Sequence, residues 1–317
     1  MQDVFSKELS VSSGGSVPRS DLDAAGSALS SDLSAAQHEI LLLIQEDLAF
    51  LLPLLKNFPK CYWIWNHRAW LLQQASQDLP ASSSRQLWEG ELGLVTKMLG
   101  YDSRNFHGWS YRRTVIRALE EHDRPEGTQD QGENAEKSRP ATMTEHEFAY
   151  TTKMIKTNLS NFSAWHNRLQ LIPRLLSERH ADSKARRRFL DDEFDLIVPA
   201  LYTDPYDQSL WFYHDYLMTT LAPSTPSSST IVQDLTDQER LHYFETQLDT
   251  LKDILDVFGD CKYLFQSLLT YAAQYQKLQP DTDRVTASDM TSWLEELEKL
   301  DPLRRGRWQD LRTTLSL

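Results

Sequence analysis

Residues 61–68 read CYWIWNHR, and three later stretches repeat this pattern. The copies are NFHGWSYR at 105–112, NFSAWHNR at 161–168 and DQSLWFYH at 207–214. Each copy places a tryptophan three residues before an arginine, except that the fourth has His214 in the arginine position. The tryptophans lie 44, 56 and 46 residues apart, and the long spacing contains the polar insertion 123–143. A repeat of about 45 residues is typical of an α-helical solenoid with two helices in each repeat. We therefore predict an all-α fold, an α-α superhelix of helical hairpin repeats.

The motif residues have a structural explanation. Asparagines at 105 and 161 lie four residues before a tryptophan, where an N-cap side chain accepts hydrogen bonds from free backbone N–H groups. A tryptophan and an arginine three residues apart share one helix face, so the indole can be buried while the arginine stem packs beside it. We interpret these residues as repeat core, with the arginines as hydrogen-bonding struts between helices. They are Trp65, Arg68, Asn105, Trp109, Arg112, Asn161, Trp165, Arg168 and Trp211.

The chain of 317 residues is long enough for a substantial core. Residues 1–37 are rich in serine, glycine and alanine, and we predict a disordered segment there. We predict one repeat domain over 38–317. Two polar insertions, 123–143 and 222–231, interrupt its helical patterns.

Charge and cysteine content restrict the function classes. The chain has 33 basic and 46 acidic residues, a net charge of −13, and such acidity argues against nucleic-acid binding. The basic run 184–188 precedes three acidic residues and is interpreted as a solvated helix face. Two cysteines argue against a disulfide framework. We see neither a membrane-spanning apolar run nor a secretory signal, and expect a cytoplasmic protein.

One acidic stretch has the sequence pattern of a metal-binding motif. Residues 191–195 read DDEFD, which fits the magnesium-diphosphate motif of isoprenoid synthases. Its carboxylates lie beside or away from the apolar stripe of the predicted helix, and no second acidic motif completes a multi-metal site. We interpret it as a solvated face and predict no metal site in this chain.

The motifs together resemble those of protein prenyltransferase α subunits, above all Rab geranylgeranyltransferase α subunits. P-K-x-Y-x-x-W-x-x-R at 59–68 is followed by D-x-R-N-F-H-x-W-x-Y-R-R at 102–113 and N-x-S-x-W-H-x-R at 161–168. The likeness extends over 38–317. One departure is that the family usually begins with a helix and a further tryptophan repeat, and residues 1–37 contain no matching motif.

The resemblance implies a heterodimer, in which a crescent of helical hairpins wraps a β subunit that holds the catalytic zinc and most of the lipid pocket. It implies transfer of a geranylgeranyl group from geranylgeranyl diphosphate to C-terminal cysteines of Rab GTPases, presented by a Rab escort protein. No cofactor is expected in this chain, and the isolated chain should be inactive. Two alternatives are the α subunit shared by farnesyltransferase and type I geranylgeranyltransferase, and a non-enzymatic scaffold of tetratricopeptide type. The 34-residue period of that scaffold does not fit this spacing.

Three residues are the candidates for chemistry. By resemblance, Lys60 and Tyr62 are where the α subunit approaches the diphosphate, and His107 is a third candidate. A lysine at a helix N-terminus is unfavourable in isolation, but the same place attracts anions. The alternatives are a solvated loop charge for Lys60 and loop packing for Tyr62 and His107.

Overall fold

The computed structural model describes residues 33–123, 142–223, 225–226, 230–280 and 283–317. Those residues form α-helices joined by short turns and contain no strand. The predicted all-α fold of helical hairpin repeats is confirmed. The described residues fall into two compact units, one before and one after the undescribed stretch 124–141. No helix in the described ranges is long and apolar enough to cross a membrane.

The first unit contains two hairpins. Helix α1 pairs with α2 and helix α3 pairs with α4, and α2 also packs against α3 and α4. Leu41, Ile44 and Leu51 of α1 are buried against Leu71 and Ala75 of α2. The helices are α1 (Ala35–Asn57), α2 (Tyr62–Asp78), α3 (Ala81–Tyr101) and α4 (Phe106–His122).

The second unit continues the arrangement. Its pairs are α5 with α6, α7 with α8 and α9 with α10; α8 also packs on α6, and α11 on α10. A 3₁₀ turn, Pro302–Arg304, leads into the last helix. The helices are α5 (Met143–Thr157), α6 (Phe162–Glu178), α7 (Ser183–Thr203), α8 (Gln208–Thr220), α9 (Asp237–Val257), α10 (Lys262–Leu278), α11 (Ala287–Leu300) and α12 (Arg305–Leu315).

Two predicted segment boundaries differ from the structure. Helix α1 begins at Ala35, inside the segment 1–37 predicted to be disordered, because Ser34 and Gln37 form a capping box; residues 1–32 lie outside the described part. The predicted polar insertion 222–231 ends on a buried residue, Ile231, whose carbonyl accepts a hydrogen bond from Arg186 at 3.0 Å. Most of the predicted insertion at 123–143 lies outside the described residues.

The motif tryptophans fasten the turn within each hairpin. All four are at most 3% exposed. Each indole N–H donates to the backbone carbonyl six residues earlier, at 2.6–2.9 Å. The acceptors are Pro59, Ser103, Leu159 and Pro205. Burial of the ring and satisfaction of its polar edge therefore fix the turn before the second helix.

The motif arginines are buried struts. Arg168 donates to both carboxylate oxygens of Glu193, at 2.8 and 2.6 Å, and to Thr152 Oγ1 at 2.8 Å. Arg68 is likewise bidentate to Glu91 and also donates to the carbonyl of Leu48 at 2.7 Å. Planar bidentate pairs of this kind suit buried sites, because they satisfy both charged groups at once. Arg112, also buried, donates to Thr96 Oγ1 at 2.7 Å.

The glutamate that accepts from each of the two bidentate arginines also accepts a hydrogen bond from a tyrosine on the second helix of its own hairpin. Tyr111 donates to Glu91 at 2.6 Å, and Tyr213 donates to Glu193. Burial first, and then the charge of Glu193, raise the pKa of Tyr213 well above its usual range. We call such a contact between two neighbouring hairpins a joint. Each of these two joints consists of an arginine, a glutamate and a tyrosine from three different helices.

Candidate functional site

The structure brings the three candidate residues together at two neighbouring turns of the first unit. Lys60 lies in the turn before α2, Tyr62 is the first residue of α2, and His107 lies in the first turn of α4. The rings of Tyr62 and His107 stack with centroids 6.3 Å apart and planes inclined by 23°. Lys60 Nζ lies 3.6 Å from Asp102 Oδ2, in the turn before α4. Two side-chain contacts thus bridge the two turns.

The backbone at Lys60 is held by both hairpins. The carbonyl of Pro59, directly before Lys60, accepts the indole N–H of Trp65 at 2.9 Å. It also accepts the amide N–H of Asn105, from the neighbouring hairpin, at 2.9 Å. Asn105 at the same time caps α4, because its Oδ1 accepts from the backbone N–H groups of His107 and Gly108. Both hairpins therefore fix the backbone directly before Lys60.

The candidate residues are open to solvent. The Lys60 side chain is 74% exposed, and Tyr62 is 47% exposed. Two exposed aromatic side chains lie beside them: the Trp63 ring is 4.7 Å from Tyr62, and the Phe106 ring is 3.9 Å from His107. Residues of this kind can donate hydrogen bonds to an anion, but the exposed edge does not enclose one.

The start of α2 differs from the starts of α4, α6 and α8, and resembles that of α10, where Cys261 also makes no side-chain cap bond. Asn161 Oδ1 and Asp207 Oδ1 each accept a backbone N–H bond at the start of their helices. Cys61 occupies the same position before α2 and makes no such side-chain bond. The hairpin that carries Lys60 and Tyr62 is thus the one in the first unit whose second helix lacks a side-chain N-cap.

The acidic stretch 191–195 lies on α7 as predicted for a solvated face. Asp191, Asp192 and Asp195 are exposed, and Asp191 accepts a hydrogen bond from the Tyr243 hydroxyl at 2.6 Å. Burial and this bond raise the pKa of Tyr243 above its usual range. Across the described ranges, no group of three or more histidine, cysteine or acidic side chains is placed to hold a metal ion.

Sequence reasoning missed two sets of residues. Asp102 was quoted in a motif but not recognised as the partner of Lys60. The acceptors of the struts were also missed, although a signal existed: Glu91, Glu193 and Gln247 lie 18 residues before Trp109, Trp211 and Phe265 respectively. That register reveals a fifth repeat, in which Phe265 replaces the tryptophan.

Comparison with known proteins decides the family. The model of the protein prenyltransferase alpha subunit repeat matches residues 44–75, 88–119 and 144–175. The geranylgeranyl transferase type-2 subunit alpha of Saccharomyces cerevisiae is 31% identical over 271 residues, which cover 84% of this chain and 72% of the relative. The chain belongs to the protein prenyltransferase α-subunit family.

Other members of the family extend the likeness. The subunit of the same name from Candida albicans is 30% identical, over 84% of this chain and 72% of its own length. The Sus scrofa subunit of that name is 34% identical, over 61% of this chain but only 29% of its own length. A solved structure, Candida albicans protein geranylgeranyltransferase-I complexed with GGPP, matches 86% of this chain and 72% of that chain. Its TM-score of 0.54 at 19% identity supports the shared fold.

Proposed function

We propose that this prenyltransferase α-subunit chain is the α subunit of a type-2 geranylgeranyltransferase and works as a heterodimer with a β subunit. The observation that carries the proposal is the identity of 30–31% to two fungal subunits of that name, each matched over 72% of its length. The exposed edge at Lys60 and Tyr62 supports it, because an incomplete site needs a second chain to close it.

The proposed reaction transfers a geranylgeranyl group from geranylgeranyl diphosphate to C-terminal cysteines of Rab GTPases, which a Rab escort protein presents. The sulfur–carbon bond forms at C1 of the lipid, the carbon–oxygen bond to diphosphate breaks, and diphosphate leaves. The zinc that activates the cysteine thiolate is assigned to the β subunit. A cytoplasmic location stays a prediction.

The contribution of this chain is electrostatic. Negative charge grows on the diphosphate oxygens as the carbon–oxygen bond breaks, and donors placed beside those oxygens stabilise the transition state. The Lys60 ammonium and the Tyr62 hydroxyl are such donors, and His107 stacks on the Tyr62 ring. The exposure of Lys60 and Tyr62 leaves both available to an incoming diphosphate.

Co-expression tests the subunit assignment. The chain is produced with a Rab-type β subunit, and transfer of a radiolabelled geranylgeranyl group to a Rab GTPase is measured with a Rab escort protein present. We expect a stable complex that is active, and no activity from the chain alone. A chain that binds only a farnesyl or type I β subunit, and that prenylates short C-terminal peptides instead, contradicts the proposal.

Substitution of Lys60 tests the site within that complex. Lys60→Ala should lower kcat by roughly 10-fold or more, because a charged donor to the leaving group is lost. The matched control is Lys156→Ala, which removes an exposed lysine from the last turn of α5. If both variants keep full turnover, the role given to Lys60 is wrong, while the subunit assignment stands.

A further inference from the structure

In two pairs of neighbouring hairpins, the turns touch through the same position of the repeat. In the fourth repeat, Tyr206 lies five residues before the tryptophan, and its ring meets the edge of Phe258, in the next turn, at 6.2 Å. Lys60 holds the same position in the first repeat, and it reaches Asp102 in the next turn. Asp102 and Phe258 are themselves equivalent, each seven residues before Trp109 or Phe265. The Lys60–Asp102 contact is therefore a regular inter-repeat contact in which this hairpin pair places opposite charges.

The two carboxylate oxygens of Asp102 make different contacts. Its Oδ1 accepts the backbone N–H of Arg104 at 3.3 Å, which shapes the turn. Its Oδ2 lies 3.6 Å from Lys60 Nζ. The second contact is easily broken, because the lysine side chain is mostly exposed and such ion pairs contribute little. The first contact keeps the carboxylate in place when the lysine leaves.

We propose that Asp102 is a positioning residue, the resident counter-ion of Lys60 that a diphosphate must displace to use the ammonium. The inference rests on the proposed role of Lys60 at the diphosphate. Before substrate binds, Asp102 holds the ammonium at the junction of the two turns, beside the stacked pair Tyr62 and His107. A diphosphate then competes with Asp102 for the same cation. When diphosphate leaves, Asp102 takes the ammonium back.

The electrostatics give the sign of the effect. Asp102 weakens the binding of any anion that needs Lys60, since it offers the ammonium an alternative partner at no cost in translational entropy. Removing its charge should tighten diphosphate binding and slow product release. Opposite unit charges at about 4 Å in water interact by roughly 1 kcal/mol, which corresponds to about a fivefold change in affinity.

The test uses the complex with the β subunit and inorganic diphosphate as the probe. Asp102→Asn removes the charge but keeps an amide oxygen for the Arg104 N–H. We expect the inhibition constant of diphosphate to fall about three- to fivefold, with a smaller change at high salt, where the competing charge is screened. The matched control is Asp204→Asn, since Asp204 Oδ1 accepts the N–H of Tyr206 in an equivalent turn. That control should leave the constant unchanged.

The same substitution in a Lys60→Ala background decides whether Asp102 acts through the lysine. We expect its effect to vanish there. If Asp102→Asn leaves diphosphate binding unchanged or weaker, or tightens it equally without Lys60, the inference is overturned. If instead Lys60→Ala alone changes neither diphosphate binding nor turnover, the proposed site itself fails. Thermal unfolding of each variant shows whether the turn has kept its structure.

Discussion

Two joints of the second unit solve the same packing problem with different chemistry. At the first, Arg168 is bidentate to Glu193, which also accepts from Tyr213. At the second, His214 takes the arginine position, and its ring nitrogens bond Gln247 at 2.9 Å and the Tyr271 hydroxyl at 2.8 Å.

The exchange is coordinated. Where the arginine becomes a histidine, the glutamate 18 residues before the next motif aromatic becomes a glutamine. Burial lowers the pKa of His214, against the raising effects of its bond to Gln247 and the charge of Asp215, so the neutral ring is favoured. We call the first the charged joint, because it buries an ion pair, and the second the neutral joint, because its histidine ring and Gln247 are uncharged; Tyr271 of the neutral joint also donates to the carboxylate of Asp215. At both joints the buried polar side chains have hydrogen-bond partners, and the two sets of residues achieve this with different charges.

The largest expected effect comes from breaking the charged joint. Arg168→Ala leaves Glu193 buried without its cation, and we expect the free energy of unfolding to fall by about 3–5 kcal/mol. Urea or thermal unfolding of the chain measures this. Arg174→Ala, which removes an exposed ion pair to Glu178 one helical turn away, should cost less than about 1 kcal/mol. Equal losses from the two variants would contradict the comparison.

Converting the neutral joint into a charged one sharpens the comparison. His214→Arg alone buries a cation opposite an amide, and Gln247→Glu alone buries an anion opposite a neutral ring, so each should destabilise the fold. Together they recreate the pair found at Arg168 and Glu193. We expect the double variant to be more stable than the sum of the single changes by about 1–3 kcal/mol. Strict additivity in the unfolding free energies would show that the two positions do not act as a pair.

The smallest effect is a pH dependence confined to the neutral joint. Because the pKa of His214 in the folded chain lies below the ordinary histidine value of 6.5, the unfolded state binds this proton first as the pH falls. Stability from this group is therefore intact above pH 6.5 and is lost as the pH falls below that value. Glu239 contributes to stability in a lower pH range. Hydrogen bonds from Arg187 lower its pKa from 4.5 to about 2, so its contribution to stability is lost only as the pH falls below 4.5.

Unfolding free energies between pH 4.5 and 7.5 test this difference. The fall in stability on acidification should be shallower in His214→Gln than in the unchanged chain, whatever the absolute stability of the variant. A control, His242→Gln, changes an exposed histidine of α9 in the same unit. If acidification destabilises the unchanged chain and His214→Gln by the same amount, His214 is not the group responsible.

Local signals made much of this fold predictable from the sequence. The tryptophan period gave the hairpin repeats, and Asn105 and Asn161 mark helix starts that a cap four residues before the tryptophan specifies. Only the donor of each arginine contact was predictable. Arg168 belongs to the repeat motif, but its acceptor Glu193 lies 25 residues further along, on another helix. Finding it requires the register between hairpins. Asp102 was hidden for the same reason, because Lys60 and Asp102 meet across two turns. The fifth repeat escaped because Phe265 does not match a motif defined by tryptophan.

The hydrogen bond to the Pro59 carbonyl affects how substitutions at Asn105 should be interpreted. Asn105 lies 46 residues from that carbonyl in sequence and yet shares in holding the backbone under Lys60. Asn105→Leu would remove this bond to the Pro59 carbonyl and also the N-cap of α4, so one substitution would affect two neighbouring hairpins.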